Sequence, residues 1–137
     1  MNVSEKTTIN SPAENVWKTL SALDGVEKWL PVVKSSTIQG SGSGAQRTCQ
    51  VQFGEQKGTL VEQIEKVDDQ NKTLQISMEE APAPFEGVRI NMQVKPIDDK
   101  TSEFSVWSEV SDEQSQPIQQ VFQMMAQGLK QLHEAKN

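Results

Sequence analysis

Two rhythms of apolar and polar residues divide this chain. Near its C-terminus Ile118, Val121, Phe122, Met125, Leu129 and Leu132 recur at steps of three and four, on one stripe of a helix. Most of what precedes them alternates apolar with polar, as strands with one buried face do. Val3 to Ile9 predicts the first strand. A short helix then opens with Ser11 as N-cap, Pro12 at the first helical position and Glu14 closing a capping box. Ala13, Val16, Trp17 and Leu20 are its buried face, Asp24-Gly25 ends it, and Val26 to Leu30 predicts a second short helical turn before Pro31.

From there strands follow one another. Val32 to Gln39 is one, and Gly40 to Gly44 is a flexible connection. Gln46 to Phe53 is the next, with Arg47, Cys49, Val51 and Phe53 on one face. Lys57 to Val67 is longer, and its period slips near Gln63, which predicts a bulge. Leu74, Ile76 and Met78 mark another strand, and Ala81-Pro82-Ala83-Pro84 is a loop because two prolines cannot join a ladder. Val88, Ile90, Met92 and Val94 alternate, as do Phe104, Val106, Ser108 and Val110. Ser111 to Gln116 leads into the final helix, with Pro117 in its first turn and Lys130, His133 and Lys136 toward its negative pole. The fold class is therefore α+β: a curled antiparallel sheet of about seven strands, two short helices closing one end, and one long C-terminal helix in the concavity.

Composition narrows the function. At 137 residues the chain is read as one domain. Three Trp, four Phe and no Tyr predict a modest, mostly aliphatic interior. The net charge of −6 is spread along the chain, which argues against nucleic acid or an anionic membrane as partner. No stretch approaches the roughly 18 apolar residues that span a bilayer, so stable membrane insertion is not expected. Met1 to Glu5 shows neither the basic nor the apolar part of a signal peptide, and the single Cys49 fits a reducing compartment; cytoplasm is the expected location.

Particular residues add a resemblance. Ile9-Asn10-Ser11-Pro12-Ala13-Glu14-Asn15-Val16-Trp17, then Trp29-Leu30-Pro31, the glycine-rich stretch to Gly44 followed by Arg47, Glu62 with Val67-Asp68, and Gly128-Leu129 with Leu132 occur in an order that resembles the START-like superfamily, SRPBCC. It includes polyketide cyclase/dehydrase-like proteins and the birch pollen allergen family. The resemblance spans essentially all of residues 1–137 and implies a single helix-grip domain with a cavity between sheet and C-terminal helix. It also implies binding of lipids, polyketides or other apolar molecules, with cyclase or aromatase activity in a minority and action on partner proteins in some. Its motifs are mainly structural and transfer no activity.

The candidate chemistry is sparse. Gly40 to Gly44 precedes a strand where a phosphate loop needs a helix N-terminus, so a hairpin at the cavity rim is the better reading. His133 is the only histidine, which excludes a His-pair metal site, and it is placed at the solvent edge of the helical stripe. No metal and no cofactor are expected. Arg47 and Glu62 share the inward face: either they anchor a ligand's carboxyl or hydroxyl group, or they form a salt bridge at the sheet end, or the arginine snorkels to solvent, with no ligand role. Trp17 and Trp29 are read as structural, and Trp107 should point outward.

The expected partner is a small apolar molecule. Its expected site comprises Arg47, Phe53, Glu62, Met78, Phe85, Ile90, Met92, Phe104, Val106, Phe122, Met125 and Leu129, with Gly40–Gly44 and Pro82–Phe85 at the entrance. A cyclase or aromatase using Glu62, Arg47 or Cys49 is the alternative, and a protein partner at Trp107 is a third.

Overall fold

The computed structural model describes residues 1–134. Seven strands form one antiparallel sheet: β1 (Asn2–Ile9), β2 (Val33–Gln39), β3 (Gln46–Phe53), β4 (Gln56–Asp68), β5 (Thr73–Glu80), β6 (Arg89–Pro96) and β7 (Ser102–Glu109). Their order is β1-β7-β6-β5-β4-β3-β2, so the first strand closes beside the last and the rest form a meander. Helix α1 (Ala13–Ser21) and a 3-10 turn (Val26–Lys28) stand between β1 and β2, and α2 (Asp112–Glu134) ends the chain.

Alternation in the sequence becomes burial in the sheet. In β3, Arg47, Cys49 and Val51 are buried, and in β6 Ile90, Met92 and Val94 are. The slip near Gln63 is two irregularities in the β4–β5 register, between Val61 and Glu62 and between Ile64 and Lys66. Such bulges sharpen the bend of a strand and so help curl the sheet around α2.

Three local expectations are corrected. Pro12, at ψ 146°, is the residue that caps α1, without a side-chain hydrogen bond. Ser11 is buried instead, its carbonyl accepting the Ser102 hydroxyl at 3.0 Å. Helix α2 begins at Asp112, so Pro117 lies in its second turn; Asp112 and Glu113 suit the positive end of the dipole and allow the earlier start. His133 is buried and shares a 2.9 Å hydrogen bond with the Thr19 hydroxyl of α1, so it does not face solvent. Lys136 lies outside the described residues.

Side chains tie α2 to the open edge of the sheet. Gln119 Nε2 donates to the Ser4 carbonyl at 3.2 Å, and Lys130 Nζ donates to the Thr8 carbonyl at 2.8 Å, so the helix covers carbonyls of edge strand β1. Farther along, Gly128 passes so close to the 3-10 turn that a Cβ there would overlap the Trp29 carbonyl oxygen. Such ties occur along both halves of α2, at Gln119 in the first and at Gly128 and Lys130 in the second.

Candidate functional site

Beneath the first half of α2 lies a hollow of about 60 Å³. Strands β3 to β6 supply its floor through Cys49, Val51, Phe53, Leu60, Glu62, Met78, Ile90 and Met92. Ile118, Val121 and Met125 of α2 form the roof, and Val26, Leu30, Val32 and Val33 one wall. Val88 and Phe85 complete the lining. The hollow is small. Ordinary ligand pockets measure about 300–1,000 Å³, whereas this one has room for a few water molecules.

Of the residues expected to meet a ligand, Phe53, Glu62, Met78, Phe85, Ile90, Met92 and Met125 come together here. Phe104, Val106, Phe122 and Leu129 do not; they are fully buried in solid core. Phe104 and Val106 of β7 and Phe122 and Leu129 of α2 belong to the packed core beside the hollow. Conversely, Val51, Leu60 and Val88 share faces with expected residues, and strand alternation could have found them. Val26 and Leu30 come from the 3-10 turn and the residues after it, and Val32 and Val33 from the entry to β2, where no periodic signal marks a cavity wall.

Arg47 also fails to reach the hollow, because its guanidinium is already engaged. Its Nε donates to Glu62 Oε1 at 2.7 Å and its Nη1 to the Leu23 carbonyl at 2.7 Å. Leu23 holds a left-handed φ of 69°, a conformation costing a leucine roughly 1–2 kcal/mol, and the Arg47 hydrogen bond helps hold it. Burial disfavours the charge on Arg47, yet the charge and hydrogen bond of Glu62, with a smaller contribution from Cys49, outweigh burial and raise its pKa. The Cys49 thiol donates to the same Glu62 Oε1 at 3.5 Å. Burial first, and the Glu62 charge second, push its pKa up to about 12, so at neutral pH it is a thiol and a poor nucleophile.

The hollow is closed on one side by two aromatic rings. Phe53 and Phe85 stack with centroids 5.1 Å apart and planes 21° from parallel. On their far side is a surface groove of about 210 Å³, bordered by Gly58, Pro82, Pro84, Pro117 and Met124 and sharing Phe53, Phe85 and Val121 with the hollow. Gly58 is required here, since a Cβ would come within 2.5 Å of Pro82 Cγ. Of the segment Pro82–Phe85, Phe85 lines the hollow and the other three residues line the groove outside it. The Gly40–Gly44 loop lines neither: Gly44 donates its amide to the Ile64 carbonyl and Ser43 Oγ accepts the Val67 amide, folding the loop onto β4.

Elsewhere, an open groove of about 920 Å³ runs between Trp29-Pro31 and α2, lined on the helix side mainly by Gln120, Gln123, Gln127 and Gln131. Trp107 is half-buried on the outer sheet face, opposite Ser4 and Asn91. Among the described residues no three His, Cys, Asp or Glu side chains converge as metal ligands would. No helix among them is long and apolar enough to cross a membrane.

The family model "Polyketide cyclase / dehydrase and lipid transport" matches residues 1–136. The chain belongs to this family. Among solved structures it is similar to the Zhui aromatase/cyclase from Streptomyces sp. R1128, with 13% identity, TM-score 0.83, and 99% of this chain and 94% of that one covered. It is also similar to a START superfamily protein from Mycobacterium smegmatis (15% identity, TM-score 0.81, 99% of each chain). An uncharacterised protein from Bacillus thuringiensis is 26% identical, with TM-score 0.77 over 98% of each chain. No curated protein matches in sequence. The two more distant likenesses concern the fold, which is the helix-grip arrangement of the START-like superfamily. Family and fold support a hydrophobic-ligand or polyketide cyclase-like role in general terms.

Proposed function

We propose that this protein binds a small apolar or amphipathic molecule, a lipid or polyketide-like compound, in the hollow beneath α2, admitting it past Phe53 and Phe85. The observation that carries this reading is the shared wall. The stacked rings of Phe53 and Phe85 line both the apolar hollow and the groove, and both rings are only partly buried. Rotation of Phe85 joins the two spaces, whose volumes together approach the ~300 Å³ at which ligand pockets begin. Met78 and Met125 line the hollow as well, and unbranched thioether side chains repack around a guest more readily than branched ones.

A cyclase reading is less well supported. It needs an acid or base beside the substrate; Arg47 is engaged on two sides and Cys49 is held protonated, which leaves Glu62 as the single candidate in the lining, with no second group to work with it. A partner protein at Trp107 has no observation in its favour beyond that ring's outward position.

The test is native mass spectrometry of protein purified without detergent, together with titration of N-phenyl-1-naphthylamine, a neutral dye that brightens in apolar surroundings. Saturable one-to-one binding, displaced by uncharged lipids, is expected. Absence of retained compound and of dye binding overturns the proposal.

A further inference from the structure

The polar character of the hollow is concentrated in one carboxylate. Glu62 is 5% exposed and lines the hollow, where every other lining residue except Cys49 is hydrocarbon or thioether. Its two oxygens are not equivalent. Arg47 Nε and the Cys49 thiol both donate to Oε1, and among the described residues no donor is assigned to Oε2. An ionised carboxylate accepts about four hydrogen bonds, so half of this capacity is unfilled. Arg47 is turned away, its Nη1 spent on the Leu23 carbonyl. What a guest meets is an acceptor, with the positive charge behind it.

We propose that Glu62, through Oε2, makes the hollow select neutral hydroxyl-bearing apolar molecules and reject carboxylates. The proposal rests on the ligand-binding reading above and names the chemical class of its guest. Arg47 and Glu62 already balance in charge, so a neutral hydroxyl can donate to Oε2 without adding charge to a buried site. A guest carboxylate would leave two anions facing one another with a single arginine that lies outside the lining and whose Nε and Nη1 are already committed, which an apolar enclosure strongly disfavours. An ether, accepting but not donating, would leave Oε2 without a partner. A hydrogen bond to a charged acceptor in such surroundings changes affinity on the order of tenfold to a hundredfold.

The test compares 1-octanol, its isomer methyl heptyl ether, and octanoate at pH 7.5, by titration into isotopically labelled protein followed through backbone amide shifts of β3, β4 and α2. The expected result is tighter binding of 1-octanol than of either other probe, by tenfold or more. In Glu62→Gln the amide nitrogen can turn toward the guest, and the preference should shift toward ether and octanoate. Should that variant not fold, the ranking in the wild-type protein decides alone. Equal binding of all three, or tighter octanoate, overturns donor selection while leaving the hollow a binding site. Binding of none overturns the ligand-binding reading itself.

Discussion

Gly128 of α2 and the carbonyl of Trp29 touch backbone to backbone, with no room for a methyl group between them. A glycine inside a helix normally costs about 1 kcal/mol relative to alanine, so Gly128→Ala on an exposed helix would stabilise it. Here the added Cβ meets a carbonyl oxygen, and backbone must move to accept it. The expected outcome is a net destabilisation of about 1–3 kcal/mol, as for overpacked cores. Thermal unfolding should show Tm lower by several degrees. Because Trp29 lies between Val26 and Leu30 of the hollow's wall, amide shifts at those residues should move as well. A variant as stable as wild type would mean that α2 stands farther from the turn.

Arg47 and Glu62 depend on each other more than the fold depends on the pair. Both are buried, at 2.7 Å, and Arg47→Met leaves a carboxylate inside the sheet without its cation. A loss of about 3–5 kcal/mol is expected in urea unfolding. The double variant Arg47→Met/Glu62→Leu should regain most of it, since an apolar pair of similar volume carries no desolvation cost. Additive losses in the double variant would show that Arg47 acts chiefly by holding Leu23.

The same pair marks how far the sequence could be read. Alternation at Arg47, Cys49, Val51 and Phe53 placed all four side chains on the inner face, because a period of two reports a face directly. The slip at Gln63 likewise corresponds to a real change of register. Alternation does not say whom a side chain meets: nothing marks the Leu23 carbonyl as the second acceptor for Arg47. His133 illustrates the same gap on a helix, where azimuth was legible but the neighbouring helix that covers it through Thr19 was not. The size of the hollow was least legible of all. It depends on how closely α2 approaches the sheet, and contacts such as those of Lys130, His133 and Gly128 with distant backbone and with α1 leave no periodic mark.

Cys49 provides a pH signature. Its pKa is raised from the ordinary 9.0 to about 12 by burial and by Glu62. Between those values the unfolded chain has released the thiol proton and the folded chain keeps it, so the native state binds more protons. Stability from this group is complete below pH 9 and falls as pH rises toward 12, with a slope of at most about 1.4 kcal/mol per pH unit. Lysines titrate in the same range, so the measurement is a difference: urea unfolding of wild type and Cys49→Ala from pH 8.5 to 10.5. The wild-type curve should fall more steeply. Parallel curves would place the thiol in contact with water, and iodoacetamide would then modify it in the native state at pH 8.

Phe85 and Val51 separate entry from occupancy. Phe85 stacks on Phe53 at the wall, while Val51 lies inside, buried against the hollow. Phe85→Ala forfeits a stacking contact of about 0.5–1.5 kcal/mol and opens the wall. In stopped-flow mixing with N-phenyl-1-naphthylamine the variant should bind severalfold faster than wild type. Val51→Phe fills the hollow from below, and because empty space receives part of the added ring, its stability cost should fall below the usual 1–3 kcal/mol for overpacking. Dye binding should nevertheless be lost. If Val51→Phe binds dye as wild type does, the guest lies in the outer groove and not beneath α2. If Phe85→Ala leaves the association rate unchanged, the rings are a fixed wall and the guest enters elsewhere.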